Sequence, residues 1–189
     1  LKIAGRHNAL NATAAYIVSK ETGISTKIIK NSLKSFGGVS RRQEFKGELK
    51  INDKKIKLID DYGHHPTEIT ATVEAIKSSN KNKKINMIFQ PHRYSRSSIL
   101  FDDFVDCLGL LDKIIILDIY SAGEQNAEGI SSYDFVNSLI KKGNKAFFAK
   151  NLKEISEILE NELKNNEILI TQGAGNVVDI SNSLLAMYK

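Results

Sequence analysis

The feature that most restricts the fold of this chain is the alternation of short, β-branched apolar runs with amphipathic helical patterns. Nearly continuous apolar strands separated by such helices are typical of parallel sheets covered on both faces. We therefore predict an α/β, Rossmann-like fold with a mostly parallel sheet and helices on both faces. We place strands at 85–89, 114–119, 146–149 and 168–171, and helices at 66–79, 97–111, 133–142, 152–163 and 177–187.

The N-terminal part differs, because two predicted helices follow each other there without a strand between them. The first spans 8–20 with a stripe of Leu10, Ala14, Ile17 and Val18, and the second runs from the expected N-cap Thr26 to the glycine pair at 37–38. Alternation over 45–51 and an apolar run at 56–59 predict a hairpin. We expect a domain boundary near Gly37, and a natural protein that begins upstream of Leu1.

Charge and cysteine usage narrow the class of protein. A net charge of +5 suggests acidic partners, which could be nucleic acid, phosphorylated metabolites or carboxylates. The lysine clusters fall at turns and helix ends, so we interpret them as solvated edges and expect no nucleic-acid binding. No apolar run approaches the roughly 20 residues that cross a bilayer, so we expect no membrane insertion. The single Cys107 is predicted to be a core residue of a cytoplasmic protein.

The loops that follow the predicted strands hold the candidate site, because ligands bind beyond the carboxyl ends of parallel strands. Three of the four histidines and both prolines fall in the first two of these loops. The loops are 60–66, 90–96, 120–124 and 172–176. This concentration of polar and ring-bearing residues predicts a binding site at that edge of the sheet.

Two loops contain groups with definite chemistry. Arg93 and Arg96 open a helix and could clamp a carboxylate by bidentate hydrogen bonds, although spacing alone is equally consistent with an exposed basic cap. A histidine such as His64 could orient an amine or accept its proton, although Asp61 and His64 could also simply cap the strand end. Their spacing is not that of a dedicated zinc site, so we expect no metal ligands here.

Other signals are weaker. Asn8 and Asn11 share the polar face of the first helix and could bind a base edge or be merely solvated. The Gly-Ala-Gly turn at 173–175 suggests close backbone approach but lacks the third glycine of a dinucleotide fingerprint. The chain also contains no phosphate-loop motif.

Six segments, taken together, resemble the family of UDP-N-acetylmuramate:L-alanine ligases. They are GRHNALNA (5–12), FGGVSRR (36–42), DDYGHHPTE (60–68), FQPHRYSR (89–96), YSAGE (120–124) and TQGAGN (171–176). They occur in the family's order and span nearly the whole chain. Gln43 stands where the family pattern has a large apolar residue. The closest competing family is the murein tripeptide ligases.

This resemblance implies an enzyme of peptidoglycan precursor synthesis that uses ATP and Mg²⁺ to join L-alanine to UDP-N-acetylmuramate through an acyl phosphate. Residues 1–36 would be the tail of a central ATP-binding domain and 37–189 the amino-acid-binding domain. The resemblance places the L-alanine pocket at Tyr62, His64, His92, Arg93 and Arg96, and ATP contacts at Asn8, Asn11, Arg42 and Asp61. It implies no catalytic residue in this segment, which would be inactive by itself.

Two other classes remain as alternatives at this point. A basic nucleic-acid-binding module would explain the charge and would bind unrelated nucleic acids with steep salt dependence. A metal-dependent hydrolase would use Asp61, His64 and His92 as ligands. A metal assay on chelator-free protein would distinguish the hydrolase from the ligase.

Overall fold

The computed structural model describes residue 3 and residues 5–189. Its strands are β1 Glu44–Ile51, β2 Lys54–Asp61, β3 Ile85–Phe89, β4 Lys113–Ile116, β5 Lys145–Phe148 and β6 Ile168–Gln172. Its helices are α1 Arg6–Glu21, α2 Thr26–Ser35, α3 Pro66–Ser79, α4 Tyr94–Ile99, α5 Phe101–Leu108, α6 Ser132–Lys141, α7 Leu152–Glu162 and α8 Val177–Met187.

The strands form one six-stranded sheet in the order β1-β2-β6-β3-β4-β5. Only the β1–β2 hairpin is antiparallel, and the other four pairings are parallel. This topology places the carboxyl ends of β2, β6, β3 and β4 side by side along one edge. The loops that follow these four strands therefore meet, as the sequence analysis expects.

Both faces of the sheet are covered. One apolar cluster joins α3, α5 and α6 to the sheet, and a second joins α7 and α8 to the other face, including the hairpin. The prediction of a mostly parallel sheet with helices on both faces is confirmed. Cys107 is buried in the first cluster, and burial raises the pKa of its thiol to about 12, so it stays protonated and unreactive.

The structure departs from the predicted elements at three places. The N-cap of α2 is Ser25, whose hydroxyl accepts from the Ile28 N–H, and not Thr26. The predicted helix at 97–111 is two helices that meet at Leu100, where the backbone leaves the helical region. This break lets α5 bury Phe104 while Ile99 at the end of α4 stays exposed.

The third departure concerns α1, whose predicted apolar stripe does not pack against the described residues. No residue of α1 is buried, and Leu10, Ile17 and Val18 are each more than half exposed. The 3.6-residue period correctly predicts a helix with an apolar face. It does not say what covers that face.

A buried ion pair ties the amino ends of three strands together. The Lys113 ammonium lies 3.1 Å from a carboxylate oxygen of Glu167, and the Asn86 amide donates to the same carboxylate at 2.9 Å. Both charged side chains are almost completely buried. Removing one partner leaves the other charge without compensation in a poorly solvated place.

We therefore expect Lys113→Ala to lower the free energy of unfolding by about 3–5 kcal/mol. The matched control is Lys153→Ala, which removes an exposed lysine 4.0 Å from Glu157 and should change stability by less than about 1 kcal/mol. Urea denaturation of the wild-type protein and the two variants measures both changes in the free energy of unfolding. Equal effects would show that the buried pair does not hold the strands.

Candidate functional site

Four rings lie in a row above the carboxyl ends of the strands. Tyr62 and His64 follow β2, and their ring centroids are 5.4 Å apart. His64 is 5.6 Å from the ring of His92, which follows β3. His92 stacks at 5.3 Å on Tyr120, which follows β4. Three loops thus contribute to one surface, and backbone hydrogen bonds from Arg93 to Tyr120 and from Tyr120 to Pro91 fix the last two loops together.

The two arginines of this surface have different partners. Arg93 is the N-cap of α4 with a positive φ of 73°, and its guanidinium lies 3.3 Å from Glu124. Glu124 also accepts from the backbone N–H and hydroxyl of Ser95. Arg96 contacts the ring and carbonyl of His92 at 3.5 and 3.4 Å. Among the residues that the structure describes, it has no carboxylate partner.

This arrangement of charges shifts the pKa values of His92 and Glu124. Burial, together with the charges of His64, Arg96 and Arg93, lowers the pKa of His92, and Glu124 opposes the shift. Its imidazole is therefore neutral at pH 7. The backbone N–H of Ser95 lowers the pKa of Glu124 despite slight desolvation. The ring surface thus carries a neutral histidine and a guanidinium free to bind an anion.

A strap of residues 41–43 connects this surface to the sheet through two buried carboxylates. The Arg41 guanidinium donates to Asp60 at 3.0 Å and to the carbonyl of Gly173 at 2.7 Å. The Gln43 N–H donates to Asp61 at 2.9 Å. Arg41 and Gln43 both have positive φ, 58° and 49°. The strap is therefore held in a conformation that L-residues rarely adopt, and it presents Arg42 between its two anchors.

Asp61 is 2% exposed and already satisfied. Besides the Gln43 N–H, it accepts from the Gly63 N–H and from the Gln172 amide, both on its other oxygen. Its oxygens therefore face the strap, the loop after β2 and the end of β6. In the part of the chain that the structure describes, no three His, Cys, Asp or Glu side chains converge as metal ligands do. The placement of Asp61 thus gives no support to the hydrolase alternative.

A cleft of about 860 Å³ separates the N-terminal helices from α3 and the strap. Arg42 lies between this cleft and the ring surface. Its guanidinium is 3.4 Å from Glu68 and 5.5 Å from the centroid of Tyr62. The predicted nucleotide contacts all line the cleft, namely Asn8, Asn11, Arg42 and Asp61. The two predicted groups of site residues are therefore neighbours, joined by Arg42 and Tyr62.

Glu68 links the two regions. It completes the capping box of α3, accepts from the N–H groups of His64 and His65, and receives Arg42. Burial raises its pKa, but the His64 N–H and the charges of His64 and Arg42 prevail, so the pKa of Glu68 is lowered. It therefore stays ionised at neutral pH.

The Gly-Ala-Gly turn is explained by contacts within the protein. A Cβ on Gly175 would lie 2.4 Å from the Gln90 side-chain oxygen and 2.9 Å from the Tyr120 ring. Gln90 needs this space because it accepts from the Val177 N–H at the start of α8 and donates to Asn176. The close approach predicted from the glycines thus brings the turn against Gln90 and Tyr120.

Several residues of the site have no role that is predicted from the sequence. Arg41, Glu68, Tyr120, Glu124 and Gln172 all belong to the six segments that carry the family resemblance, but no role is predicted for any of them. Membership of these segments and a position near predicted strand ends are the available signals. All five predicted pocket residues and all four predicted nucleotide contacts do lie in the two adjoining regions described above. Within the described residues no helix is long and apolar enough to span a membrane.

A family model described as "Mur ligase, glutamate ligase domain" matches residues 41–175, which is most of the chain and includes all six strands of the sheet. The chain belongs to the Mur ligase family. Its members are ATP-dependent ligases. The matched region begins at Arg41 of the strap and includes the ring surface and the strand-end loops as far as Gly175, whereas Asn8 and Asn11 of the cleft lie outside it.

Solved structures of Mur ligase relatives share the fold. The UDP-N-acetylmuramate–alanine ligase of Thermotoga maritima is 28% identical, with a TM-score of 0.80, over 99% of this chain and 39% of that one. A murein peptide ligase of Psychrobacter arcticus is 23% identical, with a TM-score of 0.70, over 96% and 37%. The folylpolyglutamate synthase of Mycobacterium tuberculosis, solved with ADP, is 14% identical, with a TM-score of 0.65, over 98% and 41%. The chain thus spans about two fifths of the length of these proteins.

The anchoring of the strap can be tested by stability. Arg41→Ala leaves the buried Asp60 without its cation and should lower the free energy of unfolding by about 3 kcal/mol or more. Arg42→Ala is the matched control, because the Arg42–Glu68 pair is half exposed and should contribute less than about 1 kcal/mol. Urea denaturation of the wild type and the two variants measures these changes in the free energy of unfolding. A larger loss for Arg42→Ala would contradict the anchoring role of Arg41.

Proposed function

We propose that this chain is the C-terminal part of a ligase that joins L-alanine to UDP-N-acetylmuramate in the cytoplasm. The observation that carries the proposal is the ring surface, on which Tyr62, His64 and His92 lie beside a guanidinium without an acidic partner. Such a surface suits a small zwitterion, whose carboxylate can bind Arg96. The 28% identity with the Thermotoga maritima alanine ligase supports the same choice of amino acid.

Residues 1–36 are proposed to be the tail of a central ATP-binding domain, and residues 37–189 the amino-acid-binding domain. The exposed apolar face of α1 supports this division, because Leu10, Ile17 and Val18 would be covered by the rest of the central domain. The phosphate loop would also belong to that domain. This agrees with the chain covering 39% of the alanine ligase.

The cleft fits the ATP that such a ligase requires. Its volume of about 860 Å³ is in the range of ligand sites. It is lined by Asn8 and Asn11, proposed to contact adenine, and by Arg42 and Asp61 at the strap, proposed to contact the phosphates and ribose. Mg²⁺ would neutralise the phosphate charge, with its ligands mostly in the central domain.

The proposed reaction has two stages. ATP phosphorylates the muramate carboxylate, and the amino group of L-alanine then attacks the acyl phosphate with loss of phosphate. The residues of this chain contribute by position. Arg96, and Arg93 braced by Glu124, hold the amino acid while Arg42 faces the nucleotide. Fixing the two reactants in adjoining regions supplies the proximity on which the second stage depends.

The 189-residue chain by itself should show no ATP-dependent ligation, because the residues that cradle the triphosphate are proposed to lie outside it. Incubation with ATP, L-alanine and UDP-N-acetylmuramate, followed by mass spectrometry of the product and a phosphate-release assay, measures this. The full-length protein is the positive control. Turnover by the isolated chain would contradict the division between domains.

Replacing Arg96 should affect one substrate selectively. In the full-length protein, Arg96→Ala should raise KM for L-alanine about ten- to hundredfold, the loss expected for one charge-assisted contact. Arg93→Ala should act in the same direction, because the charge of Arg93, like that of Arg96, acts on His92 of this surface. KM for ATP is the internal control and should change little. Equal effects on both substrates would mean that these arginines do not form the amino-acid pocket.

A further inference from the structure

The two imidazoles of the ring surface meet opposite kinds of partner at the same ring nitrogen. His64 Nδ1 lies 3.2 Å from the carbonyl oxygen of Tyr62, which can only accept a hydrogen bond. His92 Nδ1 lies 3.5 Å from the Arg96 guanidinium, which can only donate. In the neutral state, His64 therefore carries its proton on Nδ1 and His92 carries its proton on Nε2.

These tautomers give the remaining nitrogens opposite properties. Nε2 of His64 has a lone pair and can accept a proton, whereas Nε2 of His92 is an N–H donor. The two rings are 5.6 Å apart and both are only partly exposed. A ligand bound across both rings would therefore meet an acceptor at His64 and a donor next to a guanidinium at His92.

The charged and titratable groups around the two rings support the same division. His64 faces Glu68 at 3.9 Å from its Nδ1, a carboxylate that would stabilise positive charge on the ring. His92 faces Arg96 and Arg93, which disfavour positive charge there, with only Glu124 opposing them. The tyrosines Tyr62 and Tyr120 complete the surroundings.

We propose that His64 is the base that takes a proton from the amino group of the incoming amino acid, while His92 and Arg96 bind its carboxylate. This inference rests on the proposed function and chooses, among the roles that the sequence leaves open for His64, that of proton acceptor. The α-ammonium and carboxylate of one amino acid are close enough together to contact neighbouring rings. The asymmetry also fixes the direction in which the amino acid binds.

The protons balance over the second stage. The ammonium gives one proton to His64 Nε2, and the neutral amine forms the C–N bond with the acyl carbon. The C–O bond to phosphate breaks and the leaving phosphate takes the electron pair and the second amine proton. The product is an amide with one N–H, hydrogen phosphate and a protonated His64, which returns its proton to solvent.

The tautomers can be measured on the 189-residue chain without any ligase assay. Long-range ¹H–¹⁵N NMR spectra distinguish Nδ1–H from Nε2–H imidazoles, and His64→Gln and His92→Gln assign the signals. Above the range in which the rings are protonated, we expect Nδ1–H for His64 and Nε2–H for His92. The Nε2–H form at His64 would overturn the proposal.

The catalytic role is tested in the full-length protein with ATP and UDP-N-acetylmuramate, using L-alanine or hydroxylamine as nucleophile. Hydroxylamine is unprotonated near neutral pH and needs no base. His64→Gln should slow ligation of L-alanine about a hundredfold or more, within the range for general bases, while hydroxamate formation is kept. The rate at which the His64→Gln variant ligates L-alanine should keep rising at high pH, where the wild-type rate levels off. The reason is that hydroxide replaces the lost base.

The matched control is His65→Asn, which removes the adjacent imidazole and keeps a side-chain acceptor at the start of α3. It should leave the ratio of the two activities unchanged. If His64→Gln slows both nucleophiles equally, the role of His64 is structural and the proposal fails. If the wild type forms no hydroxamate, the proposed ligase function fails instead, whatever the tautomers are.

Discussion

Two adjacent carboxylates buried at the end of β2 determine how the site is assembled. Asp60 and Asp61 are desolvated, so each must be compensated by donors from its surroundings. Asp60 receives Arg41 and Thr171, and Asp61 receives donors from three separate segments. Since these donors come from the strap, the loop after β2 and the end of β6, satisfying the carboxylates fixes all three relative to one another.

The sheet, its helices and the edge that carries the site could be predicted because they depend on local periodicity and on a general rule for parallel strands. The contacts that shape the site could not, because they join distant parts of the chain. Arg41 donates to a carbonyl 132 residues away. Similarly, nothing in the pattern of 97–111 indicates the interruption at Leu100, which serves the packing of Phe104 against residues of other elements.

Sequence signals at single residues predict the structure around them only in part. The glycines at 173–175 correctly predict that another group approaches the backbone closely. That group is the Gln90 side chain of the same chain. Gln43 departs from the family pattern, and the structure shows why this is tolerated. The strap uses the backbone N–H of Gln43, while its side chain lies 3.5 Å from His7 at the rim of the cleft. A backbone interaction of this kind is available to any residue except proline.

Beside the site, Arg41, Gln43 and Arg93 have positive φ angles, and such backbone conformations each cost roughly 1–3 kcal/mol in a non-glycine residue. Glycine would remove this strain, and at 41 and 93 it would also remove a guanidinium group. At 41 the loss of the cation that compensates Asp60 outweighs the relief of strain, so stability itself keeps an arginine there. At 93 the ion pair with Glu124 is partly exposed, so glycine there would make the domain more stable while removing a positive charge from the ring surface.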